Sequence, residues 1–397
     1  MKKLLLILYF ALAAALPRAA AQNASGLAQE PVSDGEKHPA RIALENSVLD
    51  AVALLEAGHA APAMEILDSL QANCPPDGAV QYYLGLCSYA VRDIDGAISH
   101  FEAAAALDST NTWYRETLAN LYVGTGEGEK AGELFSALSK ENPVKFRNAY
   151  TMSLMADAYR LKRDYDSFFR VLTDLVSDPD IDDESKSRAV LSAVGGFDSR
   201  TLGALLPRLD TLMLAYEKAE PASLQAHRLR METAALQDHN EDVIAECERL
   251  IELQPSDTAQ IVINLSIIGD TYHSMGNWRK AYKTYEKALR LDPRNCPVLN
   301  NYAYYLSQQH RRLGKAERMS RITIEDQPDN ATYLDTYGWI LFLRGKAADA
   351  KPYFKHAMIY GGKDSAVILM HYSLVLKALG EDDLASYYKS LAEGKEQ

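Results

Sequence analysis

"LSIIGDTYHSMGNWRKAYKTYEKALRLDP", residues 265–293, is the stretch from which the fold can be read. Leu265, Ile268, Gly269 and Tyr272 fall at i, i+3, i+4 and i+7, which places them along one side of a helix. Gly276 stops that helix, because a residue without Cβ enters a left-handed turn at little cost. Ala281, Tyr285 and Ala288 make a second stripe, and Pro293 ends the second helix. Gly269, Ala281 and Ala288 are small where two helices must approach, and Tyr272 and Tyr285 fill the space they leave. A hairpin of this size cannot bury its apolar side alone, so it must stack on neighbours.

Those neighbours recur along the chain. Ala63, Ala97 and Ala131 stand 34 residues apart; Leu67, Phe101 and Phe135 keep the same spacing, as do Gly85 and Ala119. Later, Gly269, Ala303, Gly338 and Ser373 recur at 34, 35 and 35 residues, and Ala281, Ala316, Ala350 and Ala385 at 35, 34 and 35. Pro293 and Pro328 close successive units. A period of this length is the mark of a stacked-repeat architecture. Units begin near Leu44, Gly78 and Thr112, and a degenerate one ends at residue 176. "SDPDIDDESKSR", 177–188, is an acidic break, and residues 189–222 are helical in pattern but out of phase, punctuated by Gly195, Gly196 and Pro207. The phase returns with "METAALQDHNEDVIAECERLIELQP" and holds from Val262 to about Glu393. No strand-like alternation of useful length occurs. The pattern predicts an all-α solenoid in two stacks, 41–176 and 223–394, joined by an irregular helical spacer over 177–222.

The repeat resembles the tetratricopeptide repeat, with its Trp-Leu-Gly-Tyr-Ala-Phe-Ala-Pro signature. The match is closest over residues 262–360, where "NNYAYYLSQQHRRLGKAERMSRITIEDQPDNATYLDTYGWILFLRGKAADAKPYFKHAM" resembles paired repeats of exported and envelope-associated bacterial members. Leu265, Leu299 and Leu334 stand where the signature has Trp, and Ser320 replaces the aromatic of a second helix. The resemblance covers most of the chain beyond its leader. It implies a right-handed superhelical solenoid of helix-turn-helix units and is nearly silent on function.

The first residues add a location. Lys2 and Lys3 precede an apolar run from Leu4 to Leu16; Pro17 breaks it, and Ala19, Ala20 and Ala21 precede Gln22. That order is the layout of a secretory signal peptide over residues 1–21. The run is shorter than the ~20 residues of a membrane span. Residues 22–40 are polar with Gly and Pro and are expected as a flexible leader. The expected product is therefore exported, periplasmic, without a membrane span after cleavage, and associated with an outer membrane only through partners. The chain carries a net charge of −12, and removing Lys2, Lys3 and Arg18 leaves 39 basic against 54 acidic residues, a net of −15. That surface repels phosphate backbones and anionic lipids, which disfavours nucleic acid and membrane surfaces as partners. Cys74, Cys87, Cys247 and Cys296 form no CxxC pair and have no His at ligand spacing, so zinc is not indicated and free thiols are expected.

No catalytic constellation, metal set or cofactor motif emerges. "GTGEGEK", 124–130, lacks the adjacent Gly-Lys of a phosphate loop and follows a helix rather than a strand. His273, His310, His356 and His371 form no HExxH pair, and there is no nucleophile elbow. His239 near Glu241 and His273 near Asp270 are pairings common on solvated helices. The Asn-x-Ser/Thr triplets at Asn23, Asn264 and Asn330 are not expected to be glycosylated.

Geometry supplies better candidates. In a stacked array the first helices line a shared concave face, offset from the packing stripe. On that rule the face carries Tyr82, Leu86 and Tyr89, then Trp113, Glu116 and Asn120, and in the second stack Asp270 and His273, Asn300, Tyr304 and Ser307, and Asp335, Trp339 and Phe342. Trp339 follows Gly338 directly and cannot share its buried stripe; Phe342 lies on the same face as Trp339. The pair either anchors a partner, as large aromatics do at interfaces, or covers the packing between adjacent first helices. Family members that clamp a C-terminal carboxylate use a Lys and an Asn one turn apart. Here the matching pairs are Glu116 with Asn120, Ser266 with Asp270, Asn300 with Tyr304 and Asp335 with Trp339, and the Lys is missing each time. The expectation is a non-enzymatic scaffold that holds a basic or neutral protein segment. The alternatives are an assembly subunit docking through its convex or terminal helices, and, last, an enzyme with an unrecognised site.

Overall fold

Apolar spacing and side-chain caps set the helix boundaries in the computed structural model, which describes residues 39–395. The expected signal peptide and residues 22–38 of the expected leader lie outside the described residues. Twenty α-helices follow, eighteen of them in hairpin pairs: α1 (Pro39–Glu56) with α2 (Ala60–Asn73), α3 (Gly78–Ala90) with α4 (Ile94–Leu107), α5 (Thr112–Thr125) with α6 (Gly128–Glu141), and α7 (Ala149–Lys162) with α8 (Tyr165–Ser177). Then come α9 (Asp183–Gly195), α10 (Ser199–Ala219), α11 (Leu224–Leu236) with α12 (Asn240–Leu253), and α13 (Thr258–Ser274) with α14 (Trp278–Leu291). The last pairs are α15 (Cys296–Gln308) with α16 (Leu313–Asp326), α17 (Ala331–Leu343) with α18 (Ala347–Ile359), and α19 (Ala366–Ala378) with α20 (Asp382–Glu393). No strand occurs among the described residues. The all-α array of helical hairpins read from the sequence is the architecture found.

Short polar residues start most of these helices. Asp77 accepts from the amides of Ala79 and Val80 at the head of α3, Asn277 from Lys280 at α14, and Asn330 from Thr332 and Tyr333 at α17. Each satisfies an amide that the first helical turn leaves without a partner.

Within a hairpin, one contact recurs. A Cβ added at Gly85 would lie 2.7 Å from the Phe101 ring, and one added at Gly338 would lie 2.8 Å from the Phe354 ring. At Gly269 it would run into the Tyr285 ring. In all three the ring stands 16 residues after the glycine. Phe101, Tyr285 and Phe354 are buried, so the ring of each second helix occupies the notch in its first helix.

The described residues form two compact units that part within α10, after Arg208. In the first, Ala51, Ala63, Leu67, Val80, Leu84 and Cys87 make one core cluster. In the second, Ala281, Tyr285, Ala288, Tyr302, Ala303 and Ile340 make one cluster, and Tyr337, Leu341, Phe354, Tyr372 and Leu376 another. The sequence stripe Ala281, Tyr285 and Ala288 is fully buried.

The acidic stretch read as a break is tied into the structure. Asp178 is 1% exposed, accepts from the Asp180 amide at 2.9 Å, and pairs with Arg147 Nε at 2.5 Å. The Asp180 amide and Arg147 hold its carboxyl below the usual carboxylate range, against the opposing effect of burial. Asp182 caps α9 through the Ser185 amide, and α9 packs on α7 and α8. The acids act as caps and a buried pair, which a count of charge alone does not reveal.

The four cysteines are free. Burial pushes the Cys87 thiol up to about 11 and the Cys247 thiol up to about 12, which leaves both as inert apolar groups.

The glycine notch predicts that Gly85→Val destabilises the first unit by about 1–3 kcal/mol, because the added carbons meet the Phe101 ring. Gly124→Ala, on α5 with open space around its Cα, should be neutral or stabilising by up to ~1 kcal/mol. Denaturant melts of the two variants check this; equal effects would remove the notch as the cause.

Candidate partner-binding face

First helices of successive hairpins pack side by side in the second unit, α13 on α15, α15 on α17, and α17 on α19. A residue on one therefore meets a residue about one period later on the next. Trp339 on α17 stacks flat on His371 of α19, with ring centroids 4.0 Å apart and planes at 11°. Phe342 tilts against Trp339 at 5.2 Å. Both are half-buried and pack on the adjoining core cluster. Beneath them, buried Asp335 accepts from His371 Nδ1 at 2.9 Å. A carboxylate can only accept, so Nδ1 carries the proton, and in the neutral ring Nε2 is left as an acceptor.

A second cluster joins α13 to α15. His273 stacks on Tyr305 with centroids 3.6 Å apart and planes at 14°. Asp270 accepts from Tyr285 Oη at 2.5 Å and from Asn301 Nδ2 at 3.2 Å. Burial raises the Asp270 carboxyl above its usual value in spite of the opposing hydrogen bonds from Tyr285, Asn301 and Tyr305. Burial also raises the Tyr285 and Tyr305 hydroxyls, with the Asp270 charge adding to it. Burial lowers the His273 imidazole, whose Nε2 lacks a protein hydrogen-bond partner among the described residues.

The positions chosen by helical offset thus separate into two kinds. Trp339, Phe342, Asp270, His273 and Tyr304 are half-buried and retain some access to solvent. Asn300 and Asp335 are buried, a placement the offset rule missed; Asp335 is met by His371 from the next first helix. Asn300 Oδ1 is buried with no protein partner among the described residues. In the first unit Tyr82 is also buried: it stacks on Tyr114 at 5.0 Å and accepts from Trp113 Nε1 at 2.5 Å. Tyr89 and Trp113 are exposed, and Asn120 is half-buried with Oδ1 unpartnered. Each unit brings its own residues together.

Asn301, Tyr305 and His371 belong to the face but were not singled out from the sequence. They lie 31, 32 and 36 residues after Asp270, His273 and Asp335 respectively, near but not at the repeat period, so only the packing of neighbouring first helices reveals them. Elsewhere in the second unit, Glu217, His227 and Glu246 hold potential ligand atoms within 4.8 Å of one another. His227 already engages Glu246 at 2.7 Å and the Pro221 carbonyl at 3.2 Å, and Arg230 lies near Glu217 at 3.8 Å. Both ring nitrogens of His227 are thus already engaged by protein groups.

Residues 89–157 match the tetratricopeptide repeat family model, as do residues 264–295 and 284–318. Those stretches are tetratricopeptide repeats. A TPR repeat-containing protein of Pseudomonas aeruginosa is 35% identical over 77 residues, covering 18% of this chain and 13% of its own length. The type IV pilus assembly protein PilF of Pseudomonas aeruginosa is 29% identical over 115 residues, covering 29% of this chain and 46% of its own length. The chain thus spans less than half of either relative. Among solved structures, a tetratricopeptide repeat protein from Parabacteroides merdae aligns with a TM-score of 0.40 at 14% identity, covering 72% of this chain and 93% of that one. The C-terminal part of a TPR repeat-containing protein from Cytophaga hutchinsonii aligns with a TM-score of 0.41 at 15% identity, covering 64% and 98%.

The raised carboxyl of Asp270 gives a pH test of the repeats' buried face. Its folded value lies above the unfolded ~3.9, so its stabilising effect is complete below that value and is lost as pH rises through the folded one. Asp270→Asn does not titrate. Its melting temperature relative to the parent chain should therefore rise between pH 4 and pH 7, and a difference independent of pH would contradict the placement.

Proposed function

We propose that the chain is a non-enzymatic protein–protein interaction scaffold that holds a partner segment along the first-helix face of its second unit. Tetratricopeptide repeats generally serve as scaffolds rather than catalysts, and this face has the chemistry of a contact surface. The observation that carries the reading is the two half-buried ring clusters, Trp339 with Phe342 and His371, and His273 with Tyr305. Rigid rings with one side held by the protein supply contact area at low entropic cost. The acidic balance of the chain favours a basic or neutral segment. The N-terminal sequence supports export to a bacterial envelope, with the periplasm as the compartment.

A second reading is a structural subunit of a larger envelope assembly, docked through its last helix. Leu384, Tyr387 and Leu391 fall at i, i+3 and i+7 on α20 and are all exposed, an apolar stripe of the kind that docks against another surface. The similarity to a protein named for pilus assembly is in keeping with such a role.

Capture from a periplasmic fraction by the full chain, alongside Trp339→Ser with Phe342→Ser and Leu384→Lys with Tyr387→Lys, tests both. The first reading expects retained partners to be lost only in the Trp339 and Phe342 variant, at an unchanged melting temperature. Loss only in the α20 variant supports the docked subunit instead. Early unfolding of the Trp339 and Phe342 variant would make that pair core and remove the face. Cell fractionation checks location: recovery of the full chain with uncleaved signal peptide in the cytoplasm would overturn export.

A further inference from the structure

We infer that the second unit carries a separate site for an acidic peptide segment, away from the first-helix face, in the pocket between α14, the end of α15 and the turn that follows. The pocket is an open cleft of about 820 Å³, within the size range of ligand sites, about 300–1,000 Å³. Arg279, Lys283, Arg311 and Arg312 line it, all exposed and without an ion-pair partner among the described residues. The one carboxylate in its wall, Glu286, is already bound by Lys315 Nζ at 2.8 Å and Tyr302 Oη at 3.0 Å. Two further lining groups, Tyr282 Oη and Gln309 Nε2, are buried with no protein partner among the described residues. Both can donate a hydrogen bond, and what a cationic pocket with idle donors lacks is an anionic acceptor.

The turn is built differently from its counterparts. From the notch residue of a first helix to the small residue of the second is 12 positions in Gly269 to Ala281, Gly338 to Ala350 and Ser373 to Ala385, but 13 in Ala303 to Ala316. The extra residue falls in Gln309–Arg312 and leaves His310 at φ 52° and Arg312 at φ 48°. The turns after α13, α17 and α19 place a single glycine in that region, Gly276, Gly345 and Gly380, and the turn after α11 places the single residue Asp238 there. Two side-chain-bearing residues held there are unfavourable, and strain of this kind collects at binding sites. It carries Arg311 and Arg312 into the wall of the pocket.

The occupant follows from charge range and lining. The chain as a whole is net −12, so a long polyanion or an anionic membrane meets repulsion beyond the pocket. A short acidic segment feels mainly the local cations, because screening at physiological salt acts over about 8 Å. Exposed Trp278 and Met275 at the same pocket give apolar contact for the residues between the acids.

Fluorescence anisotropy of the full chain with a labelled ten-residue peptide of alternating glutamate and leucine tests the site. Binding should weaken at least tenfold in Arg311→Glu with Arg312→Glu, and should survive in Trp339→Ser with Phe342→Ser, which separates it from the face proposed above. Arg312→Gly should also weaken binding while raising the melting temperature, since glycine accepts the positive φ. The proposal is overturned if the acidic peptide does not bind, if charge reversal leaves binding unchanged, or if a lysine–leucine peptide binds equally. Saturation by sodium pyrophosphate without any peptide binding also overturns it, in favour of a small-anion site.

Discussion

In three hairpins a ring of the second helix is seated on the bare backbone of the first, and that contact sets how closely the two helices approach. Gly85 with Phe101, Gly269 with Tyr285 and Gly338 with Phe354 repeat the same geometry in both units. Close approach lets the ring be buried completely, and the helices then present their remaining apolar sides to the next hairpin. Local contacts of this kind make a repeat array stable through nearest neighbours rather than through one central core. Every other feature, including which residues reach a face, follows from where that ring fixes the helix.

The same interlock explains what was legible in the sequence. Small residues and rings at fixed spacing are covalent facts, so the hairpins, their ends at Gly276 and Pro293, and the buried stripe Ala281, Tyr285 and Ala288 could be read directly. Side-by-side packing of first helices was harder. A helical offset says which way Asp335 and Tyr82 face, but not that the next first helix lies close enough to bury them. His371, Asn301 and Tyr305 were hidden for the complementary reason: each belongs to the site only through a partner on the neighbouring first helix. The acidic stretch from 177 to 188 shows a further limit, since composition cannot distinguish a solvated linker from Asp178 buried against Arg147.

Electrostatics divides the second unit into regions of different character. On the first-helix side, burial favours the neutral forms of Asp270 and His273, so aromatic contact rather than charge dominates. At the turn after α15, Arg279, Lys283, Arg311 and Arg312 gather around the single carboxylate Glu286 in a chain that is otherwise acidic. The one-residue longer turn after α15 adds Arg311 and Arg312 to Arg279 and Lys283 of α14 in that region. Conserved packing with variable turns is how a repeat scaffold gains separate surfaces without losing its fold.

The central claim is the ring in the notch, and a double-mutant cycle on Gly338→Ala and Phe354→Leu tests it most directly. Alone, the alanine meets the Phe354 ring; with leucine at 354 it has room and gains helix propensity. The account predicts that the double variant is more stable than the sum of the single changes by about 1 kcal/mol, as expected for residues in contact. Additive changes, within the few tenths of a kcal/mol typical of independent sites, would mean that the ring does not occupy the glycine notch.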